Sequence, residues 1–205
     1  EVQGFLFAFL GNQPTDLNTQ LGDFSELHQP WSLNELITTR REVFEVQCNW
    51  KAFLDVFNEY YHLNNVHRNS IDKLYCKPEE SDKTTGDYAS QFGLTTGTGA
   101  LLEAQQINAL PKMANLDEPW SLGARYSWVF PNMTFAAGQE AIWVYEANPI
   151  TSERCQVRQS ICFPKNTTEL PDFKEKSQAY YQRLDEALHE DIAALENQQK
   201  GLHNS

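Results

Sequence analysis

Residues 172–200 contain neither proline nor glycine; the first breaker of the tail is Gly201. Within it Leu184, Leu188, Ile192, Leu195 and Leu202 recur at helical spacing on one stripe, opposite a charged face. The spacing predicts one amphipathic helix over 172–202. Such a helix draws its stability from burying its stripe, so it needs a partner surface. Residues 124–164 supply one, with strand-like runs at 126–130, 133–137, 141–145 and 155–161. Pro131-Asn132, Gly138 and Asn148-Pro149 separate them. Successive strands joined by short turns imply an antiparallel meander.

Upstream, residues 4–10 form an apolar run expected as a core strand, and 11–30 a turn-rich connector with one short helical turn. Residues 36–47 are strand-like. Over 50–61 the pattern turns helical, with Trp50, Phe53, Leu54, Phe57 and Tyr61 three or four apart. Strands are expected at 73–76 and 88–94 around a turn at 82–87, and a loop at 101–122. No repeat or interdomain linker interrupts the chain, so 1–205 is taken as a single domain. The expected fold class is α+β: a curved antiparallel sheet packed against a long C-terminal helix, a helix-grip or START-like arrangement.

The net charge of -12, from 28 acids against 16 scattered Lys and Arg, excludes nucleic acid as a partner. No apolar run reaches bilayer-spanning length. Cys48, Cys76, Cys155 and Cys162 lack zinc-type spacing and are expected as buried thiols of a cytoplasmic protein.

Chemistry concentrates at 49–67, which sets Glu59, His62 and His67 within nine residues. Histidines five apart lie roughly 140° apart on an ideal helix. To meet one ion, the helix must distort or end between them, and Asn64-Asn65 is the expected break. Glu59 stands three before His62 and can accept from an imidazole N–H, or else is an exposed acid. Asp191 falls within the apolar stripe of the tail, whereas His189 and Glu190 fall off it. A core-facing carboxylate needs a cation or donors, or must reach water at the stripe's edge. Both alternatives stand on the residues alone. Two histidines and a carboxylate are the facial triad of non-haem Fe(II) oxygenases.

Four motifs then carry a family resemblance. The stretch 49–67, with Asn49-Trp50-Lys51, Glu59-Tyr60-Tyr61-His62 and His67, resembles the catalytic-domain signature of Rieske-type ring-hydroxylating oxygenase α subunits. Glu190-Asp191 through Gly201-Leu202 is similar to that family's tail, Trp128-Val129-Phe130-Pro131-Asn132 to its W-x-F-P-N strand, and Gly4-Phe5-Leu6-Phe7 to its G-F-I-F run. Val56 and Leu195 depart from the usual Asn and Cys, at positions that are not ligands.

The resemblance implies His62, His67 and Asp191 as ligands of a mononuclear Fe(II), and Glu59 as the bridge by which electrons arrive from a neighbouring subunit's Rieske cluster. It implies oxidation of an aromatic or quaternary-amine-type substrate with O2, and Phe53, Phe57, Phe130 and Asn132 are the pocket candidates. No cysteine here precedes a histidine by two or three residues, so the [2Fe-2S] cluster is expected in a separate Rieske domain, fed by NAD(P)H through a reductase. A homotrimer follows from the cross-subunit electron path. The other reading is a hydrophobic-ligand carrier with a vestigial metal site.

Overall fold

The sequence Ile142-Trp143-Val144-Tyr145 places large apolar groups on both faces of a strand, and both faces are covered. The computed structural model describes residues 1–75 and 79–203. Strands β1 (Leu36–Val46), β2 (Tyr88–Leu94), β3 (Gly123–Val129), β4 (Met133–Ala137), β5 (Ile142–Thr151) and β6 (Arg154–Pro164) form one antiparallel sheet, ordered β1-β6-β5-β4-β3-β2. Strands β2 to β6 follow in sequence order, the expected meander, and β1 is added beyond β6. Helices α1 (Leu17–Leu21) and α2 (Phe24–His28) precede β1, α3 (Trp50–Phe57) and α4 (Leu63–Val66) link β1 to β2, and α5 (Lys165–Thr168) and α6 (Phe173–Leu202) follow β6.

Trp143, Tyr145, Ile161 and Phe163 point to one face, where they meet Phe53 and Leu54 of α3 and Tyr180, Leu184 and Leu188 of α6. Phe163 packs edge-on to Tyr180, ring centroids 5.3 Å apart. Ile142, Val144, Phe135 and Tyr88 point to the other face, under Phe24, Trp31 and Leu33. The curved helix-grip sheet expected above is not what forms. The sheet is open and not curled: β1 and β2 stand at opposite edges and do not pair with each other. With each face covered by its own layer, no bare concave surface remains to wrap around the helix. Among the described residues, register irregularities, the devices that bend sheets, occur only at Thr38/Arg40 and Pro149/Thr151.

Residues 4–10 are not a strand. Val2 and Phe5 form one isolated bridge, and Leu6 and Leu10 are 82% and 99% exposed, since no neighbouring strand offers an edge. Of the strand expected at 73–76, Tyr75 makes a single bridge to Thr95, and Cys76 lies outside the described residues. No helix among the described residues is long and apolar enough to cross a membrane.

A polar chain threads the second layer. Buried Arg125 of β3 pairs with Asp82 and donates to Ser90 Oγ at 2.9 Å. The Ser90 and Ser127 hydroxyls lie 3.1 Å apart, and Ser127 Oγ is 2.7 Å from His28 Nε2. His28 Nδ1 lies 2.7 Å from the Phe24 carbonyl, which can only accept, so Nε2 keeps a lone pair for the Ser127 proton. Burial dominates and pushes the His28 pKa down to about 4. The unfolded chain takes up this proton near pH 6.5 and the folded one does not. Stability is therefore full above that pH and falls by about 3 kcal/mol as pH drops towards 4. Urea unfolding across this range should show a shallower pH slope for His28→Gln; an unchanged slope would refute the assignment.

Candidate metal centre

Asn49 opens the segment by capping α3: its Oδ1 accepts from the Lys51 N–H at 2.9 Å. The helix stops at Phe57 rather than continuing to 61, where Asn58 turns its Nδ2 onto the Leu54 carbonyl at 2.6 Å. After a turn the chain forms α4, a single helical turn with His62 as its N-cap and His67 as its C-cap. The break is therefore displaced from Asn64-Asn65, which lie inside α4. The angular problem is solved at the helix ends, since His67 leaves the helical region with ψ 23°. The two imidazoles stand 5.0 Å apart between centroids, inclined by 71°.

Asp191 arrives from α6, on the face turned towards α4. Its Oδ1 lies 2.9 Å from His67 Nε2 and 3.6 Å from His62 Nε2. One ligating atom from each of the three residues falls within 4.8 Å of the others. Asp191 Oδ1 is buried yet makes no hydrogen bond: His62 Nε2 is too far, and His67 Nε2 is near but misaligned. An oxygen and two nitrogens disposed about a common point, none satisfied by the others, fit ligands around an ion.

Each imidazole has a carboxylate on its far nitrogen. Glu59 Oε1 lies 2.5 Å from His62 Nδ1, close but off the line of a hydrogen bond. Glu59 Oε2 also accepts from the His62 backbone N–H at 3.3 Å. His67 Nδ1 lies 2.7 Å from Glu190 Oε2, which also accepts from Ser70 Oγ at 2.6 Å. With a carboxylate beside each Nδ1, the Nδ1-protonated tautomer of both rings leaves the Nε2 lone pairs to face the common point. Burial alone would lower the His67 pKa, but the Asp191 and Glu190 carboxylates outweigh it and raise it. A proton and a metal thus compete for this nitrogen.

Residues 33–205 match the ring hydroxylating alpha subunit (catalytic domain) family. The chain belongs to that family. No curated protein matches it significantly. Among solved structures, the quaternary ammonium Rieske monooxygenase CntA in complex with an inhibitor superposes with a TM-score of 0.74 at 21% identity, covering 99% of this chain and 51% of the other. CntA in complex with its substrate L-carnitine gives 0.70 at 22%, covering 98% and 49%. Naphthalene 1,2-dioxygenase from Rhodococcus sp. gives 0.66 at 16%, covering 91% and 50%. These likenesses concern the fold, and the chain spans about half the length of those proteins.

In this member of the family, His62, His67 and Asp191 open onto a cavity between α4, α6 and the sheet. Of the pocket residues expected from sequence, Phe57 lines it, edge-on to Tyr145 at 4.9 Å. Phe53 points instead into the core against Tyr145, because it lies one helical turn back. Phe130, 60% exposed, sits beyond the end of β3, and Asn132 donates to Asn148 Oδ1 at 2.9 Å. Sequence reasoning missed Tyr75, Tyr126, Trp143, Tyr145 and Arg183 on the cavity wall, and Glu190 behind His67. Alternation along 123–129 and 142–151 could have flagged the strand residues. Glu190 could have been found by asking what holds the second imidazole.

Glu59 and His62 also line a separate outer cleft with Asp55, Tyr61 and Gln198. Glu59 thus has one side towards the inner cavity and the other towards the surface.

Proposed function

We propose that this chain is the catalytic domain, residues 1–205, of a Rieske-type oxygenase that oxidises a small organic substrate with O2 at a mononuclear iron. The observation that carries this reading is the convergence of His62 Nε2, His67 Nε2 and Asp191 Oδ1, with Asp191 Oδ1 left without a hydrogen bond. Iron held by two histidines and one carboxylate keeps positions open and supplies the oxidative chemistry when bound. The chain's own residues do the rest. Glu190 orients the His67 imidazole through its Nδ1, and Glu59 flanks Nδ1 of His62 and accepts from the His62 backbone N–H. Phe57, Tyr126 and Trp143 exclude water from the cavity and give an apolar substrate a surface to lie on.

Glu59 serves as the entrance for electrons, which come from a Rieske [2Fe-2S] domain and, through a reductase, from NAD(P)H. Its place between outer cleft and His62 supports this role, and electron entry across a subunit boundary suits a homotrimer. The carrier reading is disfavoured because a vestigial site has no need of a carboxylate behind each histidine.

Glu59→Gln separates the two duties of this residue. Glutamine still accepts from His62, so Fe(II) affinity should stay within about tenfold of wild type. Turnover with an added Rieske partner and reductase should slow roughly ten- to a hundredfold, the worth of a charge-assisted hydrogen bond. Equal losses in both, measured by anaerobic Fe(II) titration and product formation, would reduce Glu59 to an orienting group.

A further inference from the structure

Arg183 of α6 is 3% exposed and lines the same cavity as the metal ligands, two turns of α6 before Asp191. Among the described residues its sole hydrogen-bond acceptor is the Tyr75 hydroxyl, 2.7 Å from Nη2, and its Nε is buried with none. Tyr75 in turn donates to the Gly99 carbonyl at 2.9 Å, so the hydroxyl that holds the guanidinium is itself anchored. The guanidinium lies 5.8 Å from the Tyr75 ring centroid and 5.4 Å from that of Trp143. No carboxylate among the described residues forms an ion pair with it, and residues 76–78 are Cys, Lys and Pro.

The magnitudes leave a deficit. Cation–π contacts are individually weak, and they return only part of what it costs to bury a guanidinium without a counter-charge. The neighbouring phenols do not supply the charge: burial raises the pKa of both Tyr126 and Tyr145, which stay neutral. Asp191, the acid of α6 that lines the same cavity, lies eight residues on, about 12 Å along the axis. Ala187 stands midway and is small, so the space between the two ends is open to a ligand.

Resting on the reading of this cavity as the substrate pocket, we infer that the substrate is a monocarboxylate, whose carboxylate pairs with Arg183 while its apolar body reaches towards His62, His67 and Asp191. A planar guanidinium with free N–H groups matches a carboxylate in two-point contact. The spacing along α6 separates the anionic end from the carbon that reacts. Arg183 is then a specificity-determining residue, and a substrate that is only a cation is turned away at this end.

Calorimetric titration of the 205-residue chain tests this without turnover. The probes are 3-phenylpropionate with its amide, and γ-butyrobetaine with its methyl ester, each pair differing only in the carboxylate. At least one carboxylate should bind, roughly ten- to a hundredfold tighter than its neutral counterpart. Arg183→Gln should abolish that preference, and Arg183→Lys should keep it at reduced affinity because the charge remains and the fork is lost. Should Arg183→Gln fail to fold, the lysine variant and the wild-type pairs decide. The inference is overturned if neither carboxylate binds, if the amide or ester binds as tightly, or if lysine binds as tightly as arginine. Fe(II) titration of the same samples is read separately. Loss of carboxylate preference with intact iron uptake condemns the anion site alone, and absent iron uptake condemns the oxygenase reading alone.

Discussion

Asp191→Asn is expected to weaken Fe(II) binding by more than about a hundredfold, beyond the range typical of residues that merely support a ligand. The metal-free protein should change little in stability, within about 1 kcal/mol. Two opposing terms produce that small figure. Asparagine relieves a buried carboxylate oxygen that makes no hydrogen bond, and it also removes the charge 2.9 Å from His67. A residue that matters greatly for the ion and little for the fold is the mark of a site built for a ligand. Anaerobic titration and urea unfolding of the same variant measure the two effects. A large stability loss with unchanged Fe(II) affinity would make Asp191 a structural residue.

The largest effect on stability is expected at Arg125. It is 1% exposed, pairs with Asp82, donates to Ser90, and lies 4.9 Å from the Trp120 ring centroid and 5.6 Å from that of Trp31. Arg125→Ala removes the charge partner, the first donor of the chain ending at His28, and the volume between the tryptophans. A loss of about 3 kcal/mol is expected. Asp82 reaches water, which limits the penalty for leaving it unpaired. Arg125→Met restores most of the volume and should cost clearly less. Denaturant midpoints decide; equal losses for both would place the effect in the charge rather than the packing.

Much of this architecture was legible in the chain, and the exceptions have physical causes. The tail helix and β2 were recoverable because each is a long or strongly alternating run. Leu202, assigned to the buried stripe, is 62% exposed, at the last residue of α6. The apolar run at 4–10 looks like a strand by composition, but strands need a neighbour and this segment has none beyond a single bridge. The curvature of the sheet was not legible, since it depends on bulges and on which layers cover each face.

Of the site, His62, His67 and Asp191 were named as candidates from spacing and resemblance, and the fold brings them together. Where the helix breaks was misjudged by several residues, because Asn58 competes for the α3 backbone as effectively as Asn64-Asn65 could. Glu190 was set aside as lying off the apolar stripe, although a carboxylate one position from Asp191 is well placed to reach the second imidazole. Arg183 gave no signal, since an arginine in an amphipathic helix ordinarily belongs to the charged face.

The central claim is that one Fe(II) binds between His62, His67 and Asp191. Anomalous diffraction at the iron edge, from crystals of Fe(II)-loaded protein, tests it most directly. The account predicts one anomalous peak within bonding distance of His62 Nε2, His67 Nε2 and Asp191 Oδ1. A peak elsewhere, or none at saturating Fe(II), would contradict it.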